Sequence, residues 1–214
     1  EVYSTLAISM GLVVLIIFIF LGNIRATLIP AVTVPVALVG SFMFLLAMGY
    51  SINLLTLLAL VLAIGLVVDD AIVMLENIHR RIELGEPPLL AAFRGAREVG
   101  FAIIATTLVL ISVFVPLVFM DGRIGALFTE FAMAVSAAVF FSSITALTLS
   151  PALCSKVLKA SEKESKFSQW MDRVFSKVEN SYRQSLTSNM TKKWGLMISL
   201  VLAGFVSYSL FLQV

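Results

Sequence analysis

The stretch Ala63-Ile64-Gly65-Leu66-Val67-Val68-Asp69-Asp70-Ala71-Ile72-Val73-Met74-Leu75-Glu76-Asn77 sets two adjacent carboxylates inside an apolar run that begins near Asn53 and ends near Leu75. At a helical rise of ~1.5 Å per residue, such a run crosses a bilayer core of ~30 Å. On the same rise Asp69 and Asp70 lie about 8 Å inside its nearer end. An Asp side chain is too short to reach water from there, as a Lys or Arg stem could. Each ionised carboxylate costs roughly 2.5–3.5 kcal/mol or more at such a depth, and two neighbours cost more because each opposes the ionisation of the other. Packing gives no reason to carry that cost. The pair reads as an ion or proton site.

Composition puts the rest of the chain in the same environment. Of the 214 residues 60% are hydrophobic and 13% charged, and the mean hydropathy is +1.04, far from soluble averages. No basic tail or patch with interleaved aromatics is present, which argues against nucleic acid as a partner. Cys154, the one cysteine, cannot form an internal disulfide and reads as a small buried hydrophobe. The chain begins at Glu1 a few residues before one apolar segment and stops at Val214 in or beside another. It is therefore expected to be an internal piece of a longer protein.

Outward from the Asp pair, six apolar segments are long enough to span. The first runs from about Ser4 to Leu21 and the second from about Leu28 to Met48, with Pro30 and Pro35 expected in its first turns. The third carries the carboxylates. A polar connector with an obvious turn follows Asn77, then a short amphipathic helix from Leu89 to Glu98. The fourth span is Val99 to Met120. The fifth, Gly125 to Leu149, is rich in Ser136, Ser142, Ser143, Thr145 and Thr148, and Pro151 is expected to close it. Small and hydroxylated residues suit close helix contacts and interhelical hydrogen bonds in lipid. The sixth is Trp194 to Val214. Between the last two, Phe167, Trp170, Met171, Val174, Phe175, Val178 and Tyr182 recur at helical spacing while lysines and an arginine take other faces, the pattern of a helix lying in the membrane interface.

Six spans put successive loops on alternate sides. Arg25, the four arginines Arg80, Arg81, Arg94 and Arg97, and the nine basic residues from Lys156 to Lys193 fall on one side, which makes 14 of the 15 Lys and Arg residues; Arg123 alone falls on the other. By the positive-inside rule that side is cytoplasmic, and Asp69 and Asp70 lie in the inner half of the membrane.

Asp69 and Asp70 are about 100° apart on a helix, so one can face the bundle interior while the other faces a neighbour. Gly65, one turn before Asp69, is expected to let another helix come close. Glu76 lies two turns after Asp69, and Arg80 one turn beyond makes an expected i,i+4 pair with it, either a surface ion pair or part of proton access. No Lys, Arg or His lies within the six spans. At least one carboxylate is thus expected to hold a proton, unless another segment supplies a cation. A group so poised can take a proton from one side and release it to the other when its surroundings change, which is the physical basis of proton-driven transport.

The same run resembles the fourth transmembrane helix of resistance-nodulation-division (RND) efflux permeases. Arg25-Ala26-Thr27-Leu28-Ile29-Pro30, Val34-Pro35-Val36-Ala37-Leu38, Phe114-Val115-Pro116 and Ser150-Pro151-Ala152-Leu153-Cys154 match that family in the right order. The resemblance implies an all-α membrane protein, a six-helix transmembrane bundle plus a cytoplasmic interfacial amphipathic helix, half of a twelve-helix permease. Residues 1–158 would hold its first five helices here (the second onward of the family), 159–190 the interfacial helix and 191–214 the sixth, with the large periplasmic domains absent. It implies no enzyme but a secondary transporter of the bacterial inner membrane that exchanges protons for exported compounds. Asp69 and Asp70 would be its proton site, partnered by a Lys, an Arg and a Thr on later helices, and Ser142 would stand near the relay. The paired Asp is more like the drug-exporting branch than the heavy-metal one. No metal or cofactor is expected, protons being the coupling ion. Implied partners are the bilayer, the remaining half of the permease, two further copies in a homotrimer, a periplasmic adaptor and an outer-membrane channel.

Other classes fit less well. An intramembrane aspartyl protease needs its two Asp residues on separate helices, and a prenyltransferase needs Asp-rich motifs spaced for Mg²⁺. A protein-export or sterol-sensing relative would lack the Leu-Val-Val-Asp-Asp run. An inactive structural membrane fragment remains an alternative for the isolated piece.

Overall fold

Short polar residues and glycines punctuate the apolar sequence, and they decide where each helix starts and stops. The computed structural model describes residues 2–158 and, beyond them, 176–177, 180–187, 201–202, 204–205 and 207–211. Five helices follow one another: α1 (Val2–Leu21), α2 (Ile24–Ala47), α3 (Leu54–Glu83), α4 (Pro88–Val118) and α5 (Gly122–Val157). Among the described residues no strand occurs; the protein is all-α. The chain divides into two units, Glu1–Lys163 and Glu164–Val214. In the second, residues 180–187 and 207–211 are helical. The expected interfacial helix over 159–190 and the sixth span over 191–214 fall largely outside the described residues.

Asn23 begins α2, its side chain accepting the Arg25 N–H at 2.9 Å. The helix therefore opens four residues before the expected Leu28, and Pro30 and Pro35 stand in its interior rather than in its first turn. Asn53 begins α3 with a capping box: Oδ1 accepts the N–H groups of Leu55 and Thr56 at 2.8 and 3.0 Å, while Thr56 Oγ1 accepts the Asn53 N–H at 2.9 Å. Both helices end in the same way. Gly49 (φ 76°) and Gly85 (φ 92°) take the left-handed conformation. The next residues, Tyr50 and Glu86, return their N–H groups to the carbonyls of Leu45 and Arg81 at 3.0 and 3.1 Å, the paired bonds of a Schellman ending.

Three further boundaries differ from the sequence reading. α3 continues through the supposed polar connector to Glu83, because Arg80 and Arg81 suit a helix C-terminus and no breaker precedes Gly85. The expected amphipathic helix Leu89–Glu98 and the fourth span are one helix, α4, opened by Pro88 at its first position. Gly95 and Gly100 do not interrupt it, since an isolated glycine weakens a helix without breaking it. α5 runs past Pro151 to Val157; one missing N–H is tolerated in a helix packed on its neighbours.

Among the described residues four helices are long and apolar enough to cross a membrane by length and composition, namely Ile24–Ala47, Leu54–Glu83, Pro88–Val118 and Ile124–Val157, and Ala7–Leu21 is a shorter apolar helix. α3, at 30 residues, is ~45 Å long, so its last turns extend past a ~30 Å core. α5 is the centre of the bundle and packs on α2, α3 and α4. Small residues make this possible: Ala134, Ala138 and Ala146 of α5, Ala37 of α2 and Ala63 of α3 are buried. At Gly40 of α2 a Cβ would lie 2.7 Å from the Phe141 ring of α5.

Candidate functional site

α3 buries one face, through Ala63, Ile64, Val67, Val68, Ala71 and Met74, and leaves the other open. The helical register places the two carboxylates on either side of that division. Asp70, one turn from Val67 and Met74, is half-buried and points to α5; Asp69, one turn from Gly65 and Val73, is exposed.

Asp70 meets Ser142. The Ser142 Oγ lies 3.1 Å from Asp70 Oδ2 and 2.9 Å from the Val67 carbonyl oxygen. The serine is 1% exposed, set in α5 between Ala138 and Ala146, whose small side chains let the two helices approach. Of the hydroxyls in this part of α5, Ser143, Thr145 and Thr148 donate to carbonyls of their own helix, those of Phe140, Ser142 and Ile144. Ser142 alone of these four reaches across to another helix.

The hydroxyl has one proton and two acceptors within reach, so it can serve either form of the acid. It can donate to an ionised Asp70. When Asp70 carries a proton, the carboxylic O–H can donate to Ser142 Oγ, which donates onward to Val67 O. Proton gain and loss at Asp70 thus leave no orphaned partner.

Asp69 occupies a different setting. It lies on a stripe with Leu58, Leu62 and Val73, all exposed, and with Gly65, where a Cβ would meet nothing within 4 Å. Among the described residues no helix packs against Gly65 and no side chain bonds Asp69. The close helix approach expected at Gly65 is therefore not made within the described bundle. A carboxylate in the middle of an apolar stripe is compatible with lipid only at the cost given above, so the stripe calls for a polar neighbour.

Glu76 is exposed on the same stripe, and its expected pairing with Arg80 is not formed. Arg80 Nη2 donates instead to Asn77 Oδ1 at 3.1 Å. The ion pairs go to the next residue: Arg81 bonds Glu98 at 2.8 Å and Glu86 at 3.0 Å. Register explains the difference, since Arg81 lies one turn from Asn77 on the side facing α4, and Arg80 lies toward solvent.

At the other end of α3, Glu130 of α5 accepts hydrogen bonds from Asn53 Nδ2 and, at 3.2 Å, from Ser51 Oγ. Glu130, a single acid near the start of a span, does not stand out from the sequence pattern. The polar Ser51-Ile52-Asn53 cap, which needs a partner wherever it meets another helix, was the signal that could have found it. Among the described residues no group of three or more His, Cys, Asp or Glu side chains could hold a metal ion, and the buried Cys154 thiol is free.

Compared with known families, the whole chain, residues 1–214, matches the model of the AcrB/AcrD/AcrF family.

Proposed function

Because the chain belongs to the AcrB/AcrD/AcrF family of RND permeases, we propose that it forms part of the membrane domain of a proton-driven efflux transporter, with Asp69 and Asp70 as the groups that bind and release the coupling proton. RND permeases are inner-membrane secondary transporters and not enzymes, which removes the protease and prenyltransferase readings. The observation that carries the proposal is the split environment of the pair. Asp70 is held by a hydroxyl that can serve both its protonation states, and Asp69 faces an open apolar stripe. A cation or hydroxyl brought onto that stripe by another part of the permease would change the cost of ionising the pair. Making and breaking that contact would couple proton movement to shape.

In this reading residues 1–158 supply five transmembrane helices, 159–190 an interfacial helix and 191–214 a sixth. The loops that carry 14 of the 15 Lys and Arg residues are cytoplasmic. The partners are the rest of the permease, which covers the Asp69 stripe, two further copies in a trimer, and an adaptor and outer-membrane channel. The exported compound is an amphiphilic or hydrophobic drug.

The test is Asp69→Asn and Asp70→Asn, each in the complete permease. Both are expected to insert in normal amounts and to lose export. Carboxyl-stretch infrared difference spectra across pH should contain a band that each substitution removes. Mutants that kept full proton-dependent efflux would sink the assignment.

A further inference from the structure

The ends of α3 and α4 farthest from the Asn53 cap are joined more tightly than ordinary helix packing requires. Two turns along α3 from Asp70, Asn77 Nδ2 lies 3.1 Å from the Gly95 carbonyl oxygen and 3.1 Å from Glu98 Oε2, so its two hydrogens each have an acceptor on α4. One turn further, Arg81 reaches the same Glu98 oxygen twice, from Nη2 at 2.8 Å and from Nε at 3.2 Å. Its remaining nitrogen, Nη1, bonds Glu86 Oε1 at 3.0 Å, in the turn between the helices. Arg94 of α4 shares that oxygen at 3.2 Å. Beneath these bonds the backbones touch: a Cβ at Gly95 would lie 2.8 Å from Ile78 Cγ1 and 3.4 Å from Ile78 Cα.

Single exposed ion pairs hold proteins together only weakly. This group is different in kind, because a fork-shaped guanidinium and a side-chain amide converge on one carboxylate while a third element, the turn, is tied to the same arginine. Such a group fixes position more than it adds stability. The rest of α4 is held differently. Its buried residues, Ala91, Ala92, Gly95, Ile103 and Thr107, all lie in its first two thirds, and Leu108, Val109, Val113 and Val115 beyond them are exposed. Toward its far end α4 meets α5 through Leu110 and Phe114, the latter edge-on to Phe131, while its outer face stays uncovered; among the described residues its polar ties to α3 lie at the clasp alone.

We propose that Asn77 and Arg81 are positioning residues that clamp α3 and α4 into one body, so that any displacement of α3 that accompanies a proton change at Asp69 and Asp70 is carried into α4. This rests on the proton-site reading of the pair. α4 acts as the lever through which the pair, of which Asp70 meets α5, moves a second helix.

The experiment uses the complete permease in proteoliposomes, with transport normalised to inserted protein and infrared carboxyl spectra recorded alongside. Arg81→Ala is expected to lower proton-coupled transport at least tenfold while the band of the Asp pair titrates as in the parent. R81C/E98C in a background without other reactive cysteines should be equally impaired. Bridging the two thiols with a short bis-thiol reagent should restore most of the activity, because the tie and not the charge is required. Should Arg81→Ala fail to insert, Glu98→Gln, which keeps shape and removes charge, is read in the same way and should show a smaller loss in the same direction. Unchanged transport in these variants overturns the proposal, and so does a loss in R81C/E98C that bridging leaves unrepaired. A parent with no titrating carboxyl band would instead reject the proton site, a result read from a different measurement.

Discussion

Replacing Ser142 by alanine tests the geometry of the site most directly. The hydroxyl is 1% exposed and contacts two acceptors, Val67 O at 2.9 Å and Asp70 Oδ2 at 3.1 Å. A neutral hydrogen bond contributes ~0.5–1.5 kcal/mol and one to a charged group ~1.5–3 kcal/mol. Asp70 is only half-buried, so water can replace part of what is lost, and Ser142→Ala should cost about 1 kcal/mol, toward the lower end of those ranges. In a domain of this size that is a fall in Tm of ~2–4 °C. Thermal unfolding of the complete permease in lipid nanodiscs, followed by circular dichroism, would measure it. The decisive form is a double-mutant cycle with Asp70→Ala. In that background Ser142→Ala reports the Val67 bond alone, and the difference isolates the Asp70 contact. A coupling of ~1 kcal/mol is expected; additivity within ~0.5 kcal/mol would refute the bond between the two side chains. If the same ~1 kcal/mol enters the rate-limiting step, transport should also fall about fivefold.

Other contacts give further expected outcomes. Gly95→Ala should destabilise by ~1–3 kcal/mol, because its Cβ would stand 2.8 Å from Ile78 Cγ1; an Ile78→Ala background should remove that penalty, again read from Tm. Asn53→Ala should cost ~1–2 kcal/mol through loss of the α3 cap. Asn53→Asp keeps the cap but sets a second carboxylate beside Glu130, so its thermal stability should recover when Glu130→Gln is added. Cys154, 0% exposed in the core, should remain unlabelled by a water-soluble maleimide in the folded protein and become labelled in denaturant. Rapid labelling under native conditions would contradict its placement.

Much of the architecture was legible in the sequence because lipid imposes a simple demand. A segment that crosses must satisfy its own backbone as a helix and cover itself with apolar side chains. Apolar length therefore located a span within each of α2 to α5, although α3, α4 and α5 each run about two turns or more beyond it at one end. The depth of Asp69 and Asp70 in their run marked them as functional candidates without any structure. Where the reading went astray, the deciding contacts were local caps or neighbours outside the pattern. Asn23 drew the start of α2 forward, the absence of a breaker carried α3 to Glu83 and α4 through Glu98, and packing on three helices let α5 continue past Pro151.

The split of the Asp pair belongs to the tertiary structure alone. Helical geometry requires that Asp69 and Asp70 face directions about 100° apart, but it says nothing of which direction holds a neighbour. Only the seating of α5 against the Val67 face puts Ser142 beside Asp70 and leaves Asp69 on the open stripe. For the same reason Arg81 and not Arg80 found Glu98 of α4 and Glu86 of the turn before it. The sequence by itself determined which segments are helices and which charges lie among them, because both follow from the solvent. The partner of each charge depends on the rotation of one packed helix against another, and that is decided by the small side chains of α5 fitting α2, α3 and α4 together.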